Sequence, residues 1–187
     1  MSGVRPAADD DPAQWRLQAD VDWWDLVRYG PPGLDVYARI SFAEESARDE
    51  PGAGEDRVRT ALEILADHTS TPANAYAAIW EGWGGRDPVP AAPRVHIPHR
   101  AMLLFGGAVA VLRDAAGSAW SGSAQDGVEP HLAWPEDRSW CLACEVDEDI
   151  EFTVGCSIDA YEALVAALPG AVRRVGYGEQ APLHRDE

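Results

Sequence analysis

Eight tryptophans are spread over 187 residues. Four of them, Trp80, Trp83, Trp134 and Trp140, fall at or beside the ends of segments, where side chains converge. An indole offers a flat apolar face and one N–H donor, so a group of them could line a cleft for a sugar, a nucleotide or a peptide. His131 and Arg138 belong to the same stretch and could add a polar group and an anion contact. The same indoles would serve equally well as packing for a sheet covered by helices. A second set is acidic: Glu145, Asp147, Glu148, Asp149 and Glu151 crowd one short turn. Like charges this close raise one another's pKa and could hold a divalent cation or an Arg-rich partner. The spacing is not that of an EF-hand, so a solvated tip that meets a basic partner, or only blocks edge-to-edge pairing, is the reading for these five.

Other reactive side chains point to less. Cys141 and Cys144 are three apart, but on a strand that spacing sends them to opposite faces, whereas a redox pair needs a helix N-terminus and a zinc pair a tight knuckle. Small buried thiols fit them and Cys156 better. His96 and His99 flank Ile97-Pro98 with no periodicity to hold them together, and they read as loop histidines rather than metal ligands. Ser121 and Ser123 sit in a Gly-rich stretch with no base nearby. There is no nucleophile elbow, phosphate loop, dinucleotide fingerprint or zinc-protease helix. No catalytic residue, metal or cofactor is therefore assigned.

These residues need elements to place them. Trp140, Leu142, Cys144 and Val146 alternate with Cys141, Ala143, Glu145 and Asp147, and Ile150, Phe152 and Val154 repeat the period after the acidic turn, which predicts a hairpin. Ser157 caps a helix carrying Ile158, Tyr161, Leu164, Val165 and Leu168 on one face, stopped by Pro169-Gly170. Upstream, residues 1–12 read as a disordered leader and Val21–Tyr29 as a first strand. Pro31-Pro32-Gly33 makes a turn into a strand over Leu34–Phe42. Glu44–Glu55 reads as an exposed loop, and Asp56–His68 as a helix whose apolar stripe is Val58, Leu62 and Leu65 with Ala61 and Ile64 beside them. Thr71-Pro72 looks like the start of a second helix reaching Trp80. Pro88–Pro98 reads as irregular, Ala101–Phe105 as a buried strand, Ala108–Ala116 as a short helix, Gly117–Gly127 as a loop and Ala171–Val175 as an edge strand. Segregated runs of this kind indicate one α+β domain over 13–176, an antiparallel or mixed sheet with helices packed mainly on one face, and a flexible tail at 177–187.

Composition narrows the function. Acidic residues outnumber basic ones 32 to 15, a formal charge of −17, which repels nucleic-acid backbones and anionic lipid and favours a cationic partner. Every basic residue is Arg, so Lys chemistry is excluded. Three Cys and no apolar signal segment suit a reducing cytoplasm. The longest apolar run, Ala101–Leu112, is too short to span a bilayer.

Three blocks, Pro31–Ile40, His68–Pro72 running on to Trp80-Glu81-Gly82-Trp83-Gly84, and Trp134–Cys141, together resemble a family of uncharacterised actinobacterial proteins over roughly residues 30–168. The resemblance implies a shared fold and supplies no activity. Ser41-Phe42 stands where relatives usually carry His-Pro, and Gly106 where they often carry Arg, so any site using those residues is in doubt here. The expectation is a non-enzymatic acidic interaction protein, such as an immunity-like inhibitor of a basic protein. The alternative is a small-molecule binder or enzyme with a Trp-lined cleft.

Overall fold

The computed structural model describes residues 3–42, 53–83, 92–114 and 130–180. Outside them lie most of the loop read over Glu44–Glu55, Gly84-Gly85, the beginning of the proline-rich stretch, the Gly117–Gly127 loop with Ser121 and Ser123, and the chain end from 181.

The fold is α+β, with an open antiparallel sheet of nine strands and five α-helices among the described residues. The strands are β1 (Arg5–Pro6), β2 (Val36–Ser41), β3 (Ala75–Trp80), β4 (Arg94–Ile97), β5 (Arg100–Gly107), β6 (Leu132–Pro135), β7 (Cys141–Ala143), β8 (Glu151–Cys156) and β9 (Val172–Val175). Their order is β1-β5-β3-β6-β7-β8-β2-β9, with β4 following β1 along the free edge of β5. The helices are α1 (Gln14–Leu17), α2 (Trp23–Tyr29), α3 (Ala53–Ala66), α4 (Val109–Asp114) and α5 (Ile158–Ala167). No helix among the described residues is long and apolar enough to cross a membrane.

Period-two patterning splits the sheet's side chains between two cores. Ala75, Ala77, Ile79, Leu103, Phe105, Trp140, Leu142, Phe152 and Val154 face α3, α4 and α5. Ala78, Met102, Leu104, Leu132, Trp134, Cys141 and Ala143 face the short N-terminal helices. The larger helices thus lie on one face. There α3 buries Val58, Ala61, Leu62 and Leu65 at helical spacing, each Leu contributing roughly 1.5–3 kcal/mol through burial.

The predicted hairpin forms as β7–β8, with Leu142 opposite Val154. Ser157 caps α5 by accepting from Ala160 N at 3.2 Å. Several expectations are corrected. The second helix is strand β3: Ala75-Tyr-Ala-Ala-Ile-Trp is buried on both faces of a central strand, so no polar alternation marks it. The segment read as a first strand instead forms helix α2, Trp23–Tyr29, capped by the Asp22 carboxylate that accepts from Trp24 N at 2.8 Å. Part of the proline-rich stretch is β4. The alternation read through Val146 ends at Ala143, and Val146 packs in the core opposite that of Trp140 and Leu142. Ile158 and Val165 are exposed, because α5 buries Ala160 and Leu164 instead. The leader is placed from Gly3 onward, with Arg5 and Pro6 paired to Gly106 and Phe105. In the tail, Tyr177 donates from its hydroxyl to Gly30 O at 2.9 Å.

Gly30 joins the two ends of this design. It sits at φ 74°, ψ −164°, a conformation essentially confined to glycine, and a Cβ there would stand 2.8 Å from Cys141 Sγ. Gly30→Ala should therefore lower unfolding free energy by on the order of 2 kcal/mol in urea titration.

Candidate functional site

At one end of the sheet two turns and the start of a helix converge. They are the β4–β5 turn at residues 97–100, the β7–β8 turn at 144–150 and the start of α2. The antiparallel register brings them together: β3 ends there at Trp80, β5 starts at Arg100 and β6 starts beside His131.

Arg100 organises the inner half. Its Nε donates to Glu145 Oε1 at 2.8 Å, with a second, shorter contact from Nη2 to the same oxygen, and its guanidinium lies 5.6 Å from the Trp80 ring centre. Asp147 N donates to Glu145 Oε2 at 2.7 Å, while the Asp147 carboxylate stays exposed 3.6 Å from Arg100. His131 is buried below, its Nδ1 accepting from Trp80 N at 3.2 Å, which places the ring proton on Nε2. Burial pushes the imidazole down to about 4, although the Glu145 carboxylate pulls the other way.

The outer half is a second, deeper network. Arg28 reaches Glu148 through Nη2–Oε1 at 3.1 Å and Nε–Oε2 at 3.3 Å, and Arg39 shares the same Glu148. Arg39 Nε also donates to Glu151 Oε2 at 2.8 Å, Arg173 joins Glu151 at 2.9 Å, and Arg173 reaches Glu179 at 3.2 Å. Desolvation pulls the Arg39 pKa down, opposed by its bond to Glu151. Glu151 feels burial in the opposite sense, but the Arg173 and Arg39 donors win and hold it below the usual carboxylate range.

These contacts revise the acidic tip. Glu145 and Glu148 are buried and paired and Glu151 is partly buried, which leaves Asp147 and Asp149 exposed. The five therefore do not form one solvated carboxylate cluster. The four tryptophans do not form one cleft either: Trp134 and Trp140 are fully buried on opposite faces of the sheet, and the Trp83 side chain lies outside the described residues. Trp80 and His131 do come together. Arg138 lies elsewhere, at φ 60° over the Trp15 ring at 5.4 Å.

Beside Arg138, Asp137 accepts from Thr69 Oγ1 at 2.8 Å and from Ser70 N and Oγ at 2.7 Å, bonds that hold its pKa well below normal against the upward pull of burial. The segments His68–Pro72 and Trp134–Cys141 are thus clamped to each other. Cys141 and Cys144 pack toward opposite faces. His96 and His99 are both exposed, and His99, at φ 63°, sets its ring edge-on to Trp23 at 5.0 Å. No cluster of three His, Cys, Asp or Glu that could hold a metal occurs among the described residues.

Sequence reading did not single out Arg28, Arg39, Arg100 or the Trp23-Trp24 pair. Arg39 occupies the polar register of β2, and it is buried beneath long-range partners, the Tyr29 ring of α2 at 5.9 Å and the carboxylates of Glu148 and Glu151. No protein-family model, curated protein or solved structure matches the chain.

A buried neutral His131 links stability to pH. Its folded pKa lies below the unfolded value, so its contribution is complete above about pH 6.5 and is lost as pH falls towards 4, about 3 kcal/mol in all. His131→Asn, which keeps an acceptor for Trp80 N, should flatten the urea-measured stability profile between those pH values.

Proposed function

We propose that the protein is a non-enzymatic cytoplasmic interaction protein that binds a basic partner protein, in the manner of an immunity protein that neutralises a toxin. One observation supports this above the others: the N-terminal segment turns its cations inward and its aspartates outward. Between residues 7 and 35 there are seven aspartates and two basic residues, Arg16 and Arg28. Both arginines are buried, at 2% and 4% exposure, while Asp9, Asp11, Asp20, Asp22 and Asp35 face solvent. Arg39 is likewise fully buried.

With Arg16 and Arg28 buried, the solvent-facing layer of residues 7–35 is negative, within a chain of formal charge −17. A field of that sign speeds encounter with a cationic protein and rejects anionic ones. Half-buried Trp15, Trp23 and Trp24 lie within the same acidic layer, the combination of aromatic anchor and charged rim that binding surfaces use.

Small basic proteins should associate with it at low ionic strength, with affinity falling at least about tenfold on going to physiological salt. Isothermal titration against a panel of cationic and anionic proteins checks this. Binding that ignores salt, or no binding to any cationic member, contradicts the reading.

A further inference from the structure

Indole–guanidinium pairing is this fold's recurrent way of holding a cation. Arg16 lies 5.1 Å from the Trp134 ring centre, Arg138 5.4 Å from Trp15, Arg100 5.6 Å from Trp80 and Arg28 5.7 Å from Trp24. Trp23 is different. It is half-buried against the core beneath it, its ring partners are edge-on, Trp24 at 5.4 Å and His99 at 5.0 Å, and no guanidinium among the described residues lies over it.

Its electrostatic setting suits a cation from outside. Asp20 and Asp22 are exposed immediately before it. The β4–β5 turn that carries His99 continues into Arg100, whose charge is met by Glu145, with the exposed Asp147 carboxylate alongside. Arg28, the nearest cation on α2 itself, is neutralised by Glu148. The balance left facing solvent around Trp23 is therefore negative, next to an indole whose quadrupole attracts a cation.

We infer that Trp23, flanked by Asp22 and Asp147, receives an arginine or lysine side chain of the basic partner. The inference rests on the basic-partner reading and adds its point of contact. The partner presents a cation-rich segment whose leading side chain stacks on Trp23 while its neighbours meet the surrounding carboxylates. Asp147, one of the two acids of the β7–β8 turn left exposed, serves this site rather than a separate acidic tip.

Titration calorimetry with nona-arginine and nona-lysine peptides at low ionic strength tests this on the full chain. Trp23→Leu should weaken binding about fivefold or more, and Asp22→Asn/Asp147→Asn about tenfold, the asparagine at 22 keeping an acceptor for the helix cap. Asp159→Asn/Glu162→Gln removes the same charge from α5 on the other face and should change affinity less than about twofold. If the α5 pair loses as much as the Asp22/Asp147 pair, or folded Trp23→Leu binds as the unaltered chain does, the contact is wrong although the basic-partner reading stands. If the unaltered chain binds neither peptide, both fall.

Discussion

The structure depends on keeping three guanidinium groups out of water. Arg28 and Arg39 are buried against the covered face of β2 and β8, and a charge there is tolerable only where carboxylates meet it. Glu148 and Glu151 do so, and both come from the turn and strand start of the β7–β8 hairpin. The hairpin, the central part of β2 and helix α2 are therefore fixed by one requirement. Removing a single partner leaves an uncompensated charge, whereas exchanging the whole set for apolar side chains would cost little, so the network secures arrangement more than raw stability.

Arg16, the third group, is held without a carboxylate among the described residues. Its Nη2 donates to Leu26 O at 3.3 Å, near the C-terminal end of α2, and its face covers Trp134. A helix C-terminus and an indole together supply the negative potential that an acid would otherwise provide. Burial still pulls the Arg16 pKa down, with the Cys141 sulfur opposing it. Through this residue the N-terminal helices are joined to the sheet face they cover. Arg16, Arg28 and Arg39 are thereby kept internal, and the solvent side of the N-terminal segment is left to its aspartates.

Much of the frame was legible in the order of residues. The β7–β8 hairpin, the Ser157 cap, the helix at Val58–Leu65 and the strand after Pro31-Pro32-Gly33 each carried a local signal, a period or a cap, that tertiary contacts did not override. Strand β3 was not legible, because a strand buried on both faces and built largely of alanine has neither a period of two nor one of 3.6. The fate of the acidic turn was hidden for another reason. Whether Glu145 and Glu148 meet water or arginine depends on residues 45 and 120 positions away, Arg100 and Arg28, and no local spacing encodes that. Trp134 and Trp140 looked like neighbours, yet the turn between β6 and β7 returns them to opposite faces.

The most direct test of the buried network is a double-mutant cycle on Arg39→Met and Glu148→Leu, read by urea denaturation. Each single change strands a buried charge and should cost about 3 kcal/mol or more, while the double change recovers most of that loss, giving a coupling energy of several kcal/mol. Additive single effects, agreeing within about 0.5 kcal/mol, would mean the two side chains are solvated independently and that the arginines do not face inward as described.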